Sequence, residues 1–122
     1  MNSKNKGTAG ERELAAILRE KGFDARRGQQ FCGWNGDADV VGLPGIHIEC
    51  KRVEKLNLYA AMRQSIRDAR KGESPVVMHR RNREKWLVTQ NFEDWIEMYR
   101  RAYDTDRDGQ ELHGNPREHH AE

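Results

Sequence analysis

Apolar residues along the chain recur first at helical spacing and then at strand spacing. The apolar positions that follow Thr8 repeat every three or four residues until Gly22, which predicts a first helix over residues 8–21. Thr8 and Glu11 have the spacing of a capping box, in which Thr8 would cap the helix and Glu11 would be its third residue. Gly22 suits the position just after a helix, where a left-handed backbone is common.

The rest of the chain predicts five strands and two more helices. In chain order we predict an extended segment over 23–31, a loop over 33–36, strands over 39–43 and 46–52, a helix from 58 to about 71, strands over 75–79 and 86–90 around an arginine-rich hairpin, and a helix capped by Asn91. A Leu-Pro-Gly turn joins the strands at 39–43 and 46–52 into a hairpin. The order α-β-β-β-α-β-β-α predicts an α/β or α+β fold, with a sheet flanked by helices.

Composition and charge divide the chain into two parts. The 122 residues suffice for one domain, but 34% of them are charged and the mean hydropathy is -1.06. The apolar pattern stops after Tyr103, so we expect one folded domain over residues 1–103 and a disordered acidic tail over 104–122. The tail has two basic and six acidic residues, net -4, which leaves 20 basic and 14 acidic residues, net +6, in the domain. A basic domain suits a partner made of phosphates.

Location follows from what the sequence lacks. No apolar run approaches the roughly 18 residues of a membrane-spanning helix, and the charged N-terminus has no apolar stretch typical of a signal peptide. The two cysteines, Cys32 and Cys50, form no CxxC pair. We therefore expect a reducing, intracellular (cytoplasmic) protein with no membrane partner.

Charged residues interrupt the two strands of the predicted hairpin. Because side chains alternate along a strand, His47, Glu49 and Lys51 would share one face while Cys50 points into the core. The turn can bring Asp39 close to Glu49, and two carboxylates at one place persist if a cation lies between them. Oxygen ligands with few protein groups suit Mg²⁺ or Mn²⁺. Lys51 beside that cation can hold an attacking water and stabilise charge developing on a phosphate, so these parts predict metal-assisted phosphodiester hydrolysis.

Around these residues the sequence resembles the PD-(D/E)xK nuclease signature, and the wider chain resembles the archaeal-type Holliday junction resolvases of that superfamily. The resemblance covers roughly residues 4–97 and is carried by KGTAGERELAAILREKGF, DADVVGL, HIECKR and EKWLVTQ. Ala38 replaces the proline of the PD pair, and Asp37 is a second candidate ligand. The resemblance implies a restriction-endonuclease-like fold with a central mixed sheet. It also implies a Mg²⁺-dependent DNA endonuclease, in which Mn²⁺ substitutes, that cuts four-way junctions as a homodimer and has no small-molecule substrate.

Carried over position by position, the resemblance implies roles for individual residues. The catalytic set would be Glu11, Asp39, Glu49 and Lys51, and the metal would be held by Asp39, Glu49 and the backbone carbonyl of Cys50. Lys6 and Arg26 would contact phosphate, and Gln64 would approach the site from the second helix. The predicted DNA-binding set also contains Arg27, next to Arg26. Arginine-rich loops bind phosphate well, so the set includes the hairpin residues Arg80, Arg81 and Arg83.

Several of these residues also fit roles without chemistry. Glu11 could serve the capping box alone, Asp37 could be a turn residue, and His47 could be a partly exposed strand residue. The arginine-rich hairpin could be a solvated tip, and Glu49 and Lys51 could line a polar strand face. The aromatic residues expected in the core are Trp86, Trp95 and Tyr99.

Two other functions fit the same residues. One is a different PD-(D/E)xK nuclease, such as a repair enzyme, a restriction enzyme or a nickase. The other is a non-catalytic DNA-binding module on the same fold, which the intact Asp39, Glu49 and Lys51 disfavour.

Overall fold

A computed structural model describes residues 3–29 and 38–103, with side chains from residue 7 onward. The elements in chain order are α1 (Ser3–Glu20), β1 (Arg26–Arg27), β2 (Val40–Val41), β3 (Ile46–Arg52), α2 (Leu58–Asp68), β4 (Ser74–Arg80), β5 (Leu87–Gln90) and α3 (Phe92–Tyr103). This is the predicted order. The predicted loop at 33–36, the tail, Cys32 and Asp37 lie outside the described residues.

The five strands form one mixed sheet in the order β1-β2-β3-β4-β5. β3 and β4 run parallel, whereas the other neighbouring strands are antiparallel. A parallel pair requires a crossover connection, which α2 supplies. The predicted α+β class, with a central mixed sheet flanked by helices, is confirmed.

Apolar side chains cover both faces of the sheet. One cluster joins α1 to the first face, and it consists of Leu14, Ala15, Leu18, Ala25, Val40, Ile48, Cys50 and Val76, with Trp86 partly buried against it. A second, smaller cluster of Ala61, Met62 and Val77 lies beneath α2. Glu49 and Val77 are register partners on β3 and β4, so Glu49 points to the α2 face.

The first helix begins earlier than predicted. α1 starts at Ser3, which places Thr8 and Glu11 inside the helix, so the predicted capping box is wrong. No proline interrupts the residues before Thr8, and the helical backbone continues through them. The predicted end at Gly22 is confirmed: Gly22 has φ +101°, and Phe23 N–H donates to the Leu18 carbonyl at 3.1 Å in a Schellman motif.

Gly10 lets α1 approach the sheet closely. A Cβ at Gly10 would lie 2.5 Å from the Cβ of Arg52, a separation that no real pair of side chains adopts. The glycine therefore allows direct contact between the helix and the end of β3. This contact holds Glu11 and Glu13, on the next turn of α1, near the charged residues of β3.

The chain falls into two compact units, residues 1–90 and 91–122, so α3 is described by itself. Its aromatic residues stack along the helix: the ring centroids of Trp95 and Tyr99 are 5.4 Å apart, and those of Tyr99 and Tyr103 are 4.8 Å apart. Trp95 is 49% exposed, so the prediction that it is a core residue is wrong. The domain boundary at residue 103 stays a prediction. Within the described residues, no helix has the length and apolarity to cross a membrane.

Candidate active site

The β2–β3 hairpin places Asp39 against the middle of β3. Ile46 N–H donates to the Leu43 carbonyl at 3.1 Å across a turn in which Gly45 has φ +84°, as a Pro-Gly type II turn requires. Asp39 N–H then donates to the Ile48 carbonyl at 3.1 Å, and Asp39 Oδ2 accepts from Cys50 N–H at 2.8 Å. The Asp39 carboxylate is thereby fixed directly beside Glu49.

Glu49 is a buried carboxyl group beside a second one. It is 4% exposed, which excludes the alternative that it belongs to a solvated strand face. Burial is the largest cause that raises its pKa, to about 8, and the charge of Asp39 and a side-chain hydrogen bond with Asp39 raise it further. Lys51 opposes this shift, with Nζ 3.7 Å from Glu49 Oε2. The two carboxyl groups that the sequence predicted to meet do meet.

Glu11 faces the same group of residues from α1. Arg27 Nε donates to Glu11 Oε1 at 3.0 Å. Burial raises the pKa of Glu11, the Arg27 hydrogen bond lowers it, and the charges of Asp39 and Lys51 also act on it. Glu11 therefore lies within the electrostatic reach of the site, and its alternative role as a capping residue alone is excluded.

The oxygen atoms around Asp39 and Glu49 are of the kind that binds a divalent cation, although they are few. A buried carboxyl group, Glu49, lies beside a half-buried one, Asp39, and the carbonyl of Cys50 belongs to the residue whose N–H donates to Asp39. Burial raises the pKa of the Cys50 thiol, which keeps the sulfur neutral. Among residues 3–29 and 38–103, no group of three or more His, Cys, Asp or Glu side chains is placed to hold a metal ion. A cation here would complete its coordination with water or substrate oxygens, as Mg²⁺ commonly does.

His47 is buried instead of partly exposed, so the expectation of an exposed strand residue is wrong. The residue is 4% exposed, and its Nε2 lies 3.9 Å from Glu49 Oε1. Its Nδ1 lies 3.6 Å from Glu73 Oε1. Strand alternation predicted that His47 and Glu49 share a face. It did not predict the contact with Glu73, which comes from the turn before β4.

Two other acidic residues escaped the sequence analysis. Asp68, on α2, contributes to the raised pKa of Glu49. It lies four residues after Gln64, so helical periodicity from Gln64 could have identified it. Glu13 accepts hydrogen bonds from Arg52 Nε at 3.3 Å, from Trp86 Nε1 at 3.1 Å and from Arg80.

The predicted DNA-binding residues fall into different surroundings. Arg80 is held by Glu13, and Arg27 by Glu11, so both are engaged within the protein. Arg81 is exposed, with Nη2 3.6 Å from Glu84 Oε2, and Arg83 is exposed with φ +67°. Arg26 is exposed and Gln64 half-buried, whereas the side chain of Lys6 lies outside the described part of the chain.

A groove of about 630 Å³ begins just after β3 and runs to the hairpin between β4 and β5. Its apolar lining comes from Val53, Leu56, Leu58 and Leu87. Its cationic lining includes Arg81, Arg83 and Lys85, with Glu54 and Glu84 among them. The groove therefore begins one residue after the end of β3, the strand that carries Glu49 and Lys51.

A mixed sheet in which one hairpin strand carries a Glu-x-Lys pair and the neighbouring strand begins with an Asp beside that Glu is typical of a nuclease of the PD-(D/E)xK type. Residues 2–111 match the model of the family described as "Phage putative PDDEXK endonuclease", and the chain belongs to this endonuclease family. Among solved structures, the chain is similar to Hjc, a Holliday junction resolvase of the archaeal hyperthermophile Archaeoglobus fulgidus. The identity is 28% and the TM-score 0.53, over 70% of this chain and 72% of that one. No curated protein sequence matches the chain significantly. The predicted superfamily and its restriction-endonuclease-like fold are confirmed.

Proposed function

We propose that this endonuclease is a Mg²⁺-dependent enzyme that resolves four-way DNA junctions by paired phosphodiester hydrolysis. The observation that carries the proposal is the pair of Asp39 and Glu49, which the β2–β3 hairpin brings together. Glu49 is buried on β3, Asp39 is half-buried just before β2, and Lys51 Nζ lies 3.7 Å from Glu49 Oε2. Two carboxyl groups in this position lack the positive charge that would let both ionise. The similarity to the archaeal resolvase Hjc supports the choice of substrate.

Asp39, Glu49 and the carbonyl of Cys50 would hold the cation. The Cys50 N–H bond orients Asp39, so this ligand is fixed before the cation arrives. When bound, Mg²⁺ would polarise the scissile phosphate and lower the pKa of an attacking water. Mn²⁺, with the same preference for oxygen ligands, would replace it.

Lys51 and Glu11 act on the water and the phosphate. Lys51 lies beside Glu49, where its ammonium can orient the attacking water and stabilise negative charge that develops on the phosphate. Glu11 is positioned from α1 by Arg27 and can accept a hydrogen bond from the same water. Arg27 would then remain close enough to contact a phosphate as predicted.

The groove after β3 is the proposed path of the DNA away from the site. Its exposed cations Arg81, Arg83 and Lys85 suit phosphate contacts, which position DNA without reading its sequence. Arg26, Gln64 and Lys6 complete the proposed DNA-binding set. Arg80 is placed in this set by sequence but is held by Glu13, so we expect a structural contribution from it.

Symmetry is the reason to propose a homodimer. A four-way junction must be cut on two opposed strands, and each chain supplies one site. Two chains related by a two-fold axis would match the symmetry of the junction.

Cleavage of labelled four-way junctions, with linear duplex, flaps and single strands in parallel, tests the proposal. We expect paired, symmetric nicks in the junction that require Mg²⁺ or Mn²⁺ and disappear in chelator. Equal cutting of linear duplex would instead identify a less selective endonuclease of the same family. Absence of metal-dependent cutting of every substrate would show a DNA-binding module without catalysis.

A further inference from the structure

The groove after β3 shares a face of the sheet with the candidate active site. His79 and Leu87 both line the groove. In the register of the sheet, Lys51 on β3 lies opposite His79 on β4, and His79 lies opposite Leu87 on β5. The three side chains therefore stand in one row on the face that carries Glu49. Neighbouring strands are about 4.8 Å apart, so His79 is one strand spacing from Lys51 and Leu87 is two.

His79 gives the groove an aromatic ring in a fixed orientation. Its Nε2 lies 2.9 Å from Thr89 Oγ1, a hydrogen bond that holds the ring toward β5. Burial lowers the pKa of His79, so the imidazole is uncharged at neutral pH. Histidine is one of the side chains on which unpaired nucleic-acid bases stack. An uncharged, oriented imidazole in an open groove can serve in this way.

The apolar side chains of the groove are exposed. Leu87 is 59% exposed and Val53 37% exposed, and Leu56 and Leu58 are only partly buried. Apolar side chains that are gathered in one open groove favour a ligand with an apolar surface of its own. Phosphates and sugars of a duplex backbone do not supply such a surface, whereas the face of a base does. At about 630 Å³, the groove has the size of a site for a small organic group.

Positive charge borders this apolar lining. Arg81 and Arg83 are exposed at the groove. The acidic residues of the lining are engaged with the protein, because Glu54 Oε2 accepts the N–H of Asn82 at 2.8 Å. Glu84 Oε2 lies 3.6 Å from Arg81 Nη2. Cations for the phosphates beside a surface for the bases are the combination by which proteins bind unpaired strands.

We propose that the groove binds an unpaired nucleotide of the DNA, with the base against His79 and Leu87 and the phosphates on Arg81 and Arg83. The inference rests on the proposed function in that DNA is the partner. It adds a source of selectivity for branched DNA. Freeing a base from a duplex costs energy, and the cost is lowest where the base is already unpaired or poorly stacked. Linear duplex would therefore fill the groove less readily than a branch point.

Equilibrium binding by the full chain in chelator tests the inference without any cleavage. The probes are a labelled thymidine oligonucleotide and an abasic oligonucleotide of the same length and charge. The wild type should bind the thymidine strand more tightly by about 5-fold or more, the lower end of what one stacked base contributes. Leu87→Ser should bind both strands alike, with its affinity for the abasic strand unchanged.

Val88→Ser is the matched control. Val88 is also 59% exposed, but it follows Leu87 on β5 and points to the opposite face of the sheet. The Val88→Ser variant should therefore keep the wild-type preference for the thymidine strand.

The outcomes separate this inference from the proposed function. Equal binding of the two strands by the wild type, a preference that survives in Leu87→Ser, or an equal loss of preference in Val88→Ser would overturn the inference even if junctions are cut. A preference that depends on Leu87 alone of the two, in a protein that cuts no DNA, would uphold it and overturn the proposed function. If Leu87→Ser does not fold, as circular dichroism would reveal, photocrosslinking of the wild type to iodouracil-containing DNA decides. Crosslinks at residues that line the groove would uphold the inference, and their absence there would overturn it.

Discussion

Glu13 contacts the end of β3 and Glu49 lies in the middle of that strand, and the two carboxyl groups have opposite surroundings. Glu13 is surrounded by donors: Arg52, Arg80 and Trp86 all donate to it. Glu49 is more deeply buried, with 5% of its side chain exposed against 32% for Glu13, and it faces a second carboxyl group. A carboxylate with all its partners stabilises a fold, whereas one left short of positive charge marks a place where a cation can bind.

Glu13 and its partners, the Glu13 region, have a structural role that the Asp39–Glu49 pair does not share. Glu13 lies on α1, Arg52 on β3 and Arg80 on β4, so one carboxylate ties three elements together. This tie fixes the end of β3 next to Lys51. The contacts of Glu13 thereby support the neighbouring pair of Asp39 and Glu49, where two carboxyl groups meet and Lys51 acts against the raised pKa of Glu49.

The largest expected effect is on chemistry at the Asp39–Glu49 region. Asp39→Asn and Glu49→Gln should each reduce cleavage to background, because each removes a charged ligand without removing bulk. DNA binding should survive in both variants, and mobility shifts beside single-turnover cleavage would measure the two properties. Glu13→Gln is the matched control and should still cleave in its folded fraction. Near wild-type cleavage by either active-site variant would refute the site.

Lys51→Ala should lower the cleavage rate by on the order of 10²-fold, the scale for loss of one electrostatic stabiliser. Metal affinity should hold or rise, because a cation that repels the metal is removed. Single-turnover rates and calorimetric titration with Mn²⁺ would test both statements. Loss of metal binding in Lys51→Ala would show that the lysine has a structural role instead.

Glu13→Gln should cost stability, in contrast with Glu49→Gln. It removes the negative charge that Arg52 and Arg80 share, and partly buried arginines would be left without it. We expect the free energy of unfolding to fall by about 2 kcal/mol, less than the loss at a fully buried ion pair. Urea unfolding followed by circular dichroism measures this change. An unchanged midpoint would mean that the Glu13 region is not a structural tie.

Stability of the metal-free protein should fall as pH rises, because of Glu49. Its pKa is raised from the ordinary 4.5 to about 8, by burial first and by Asp39 and Asp68, against Lys51. Below pH 4.5 the group is protonated in both states; between 4.5 and 8 only the unfolded chain ionises it. Stability then falls with rising pH by at most about 1.4 kcal/mol per pH unit. The difference between wild type and Glu49→Gln, measured in chelator from pH 5 to 8, isolates this effect, and a flat difference would contradict it.

The sequence predicted the hairpin and its chemistry well because both depend on local patterns. Alternation along β3 put Glu49 and Lys51 on one face, and the Leu-Pro-Gly turn brought Asp39 to them. The role of Glu11 was harder to predict, since its capping-box spacing competed with its place on the inner face of α1. The prediction that Thr8 caps α1 failed because the helix continues through the residues before it.

Long-range pairs could not be predicted from spacing. Glu73 lies near His47 because of the parallel register of β3 and β4, and Arg80 contacts Glu13 because α1 also packs against the sheet. The aromatic pattern of α3 predicted a helix correctly but not the exposure of Trp95. Periodicity identifies an apolar face, whereas burial depends on what covers that face.

The smallest expected effect separates two neighbouring arginines. Arg80 belongs to the Glu13 region, whereas Arg81 is exposed and its pairing with Glu84 is a surface contact of small energy. Log affinity for DNA should fall with log salt at a slope of about -0.9 per phosphate contacted. Arg81→Ala should make the slope shallower by about one unit per chain and leave the cut position unchanged. Arg80→Ala should lower the midpoint of urea unfolding and leave the slope nearly as it is.

Fluorescence anisotropy with labelled junctions across a salt series measures the slope for both variants. If the slope of log affinity against log salt becomes shallower by the same amount in both variants, Arg80 contacts DNA as well. An unchanged slope in Arg81→Ala would show that this hairpin faces solvent.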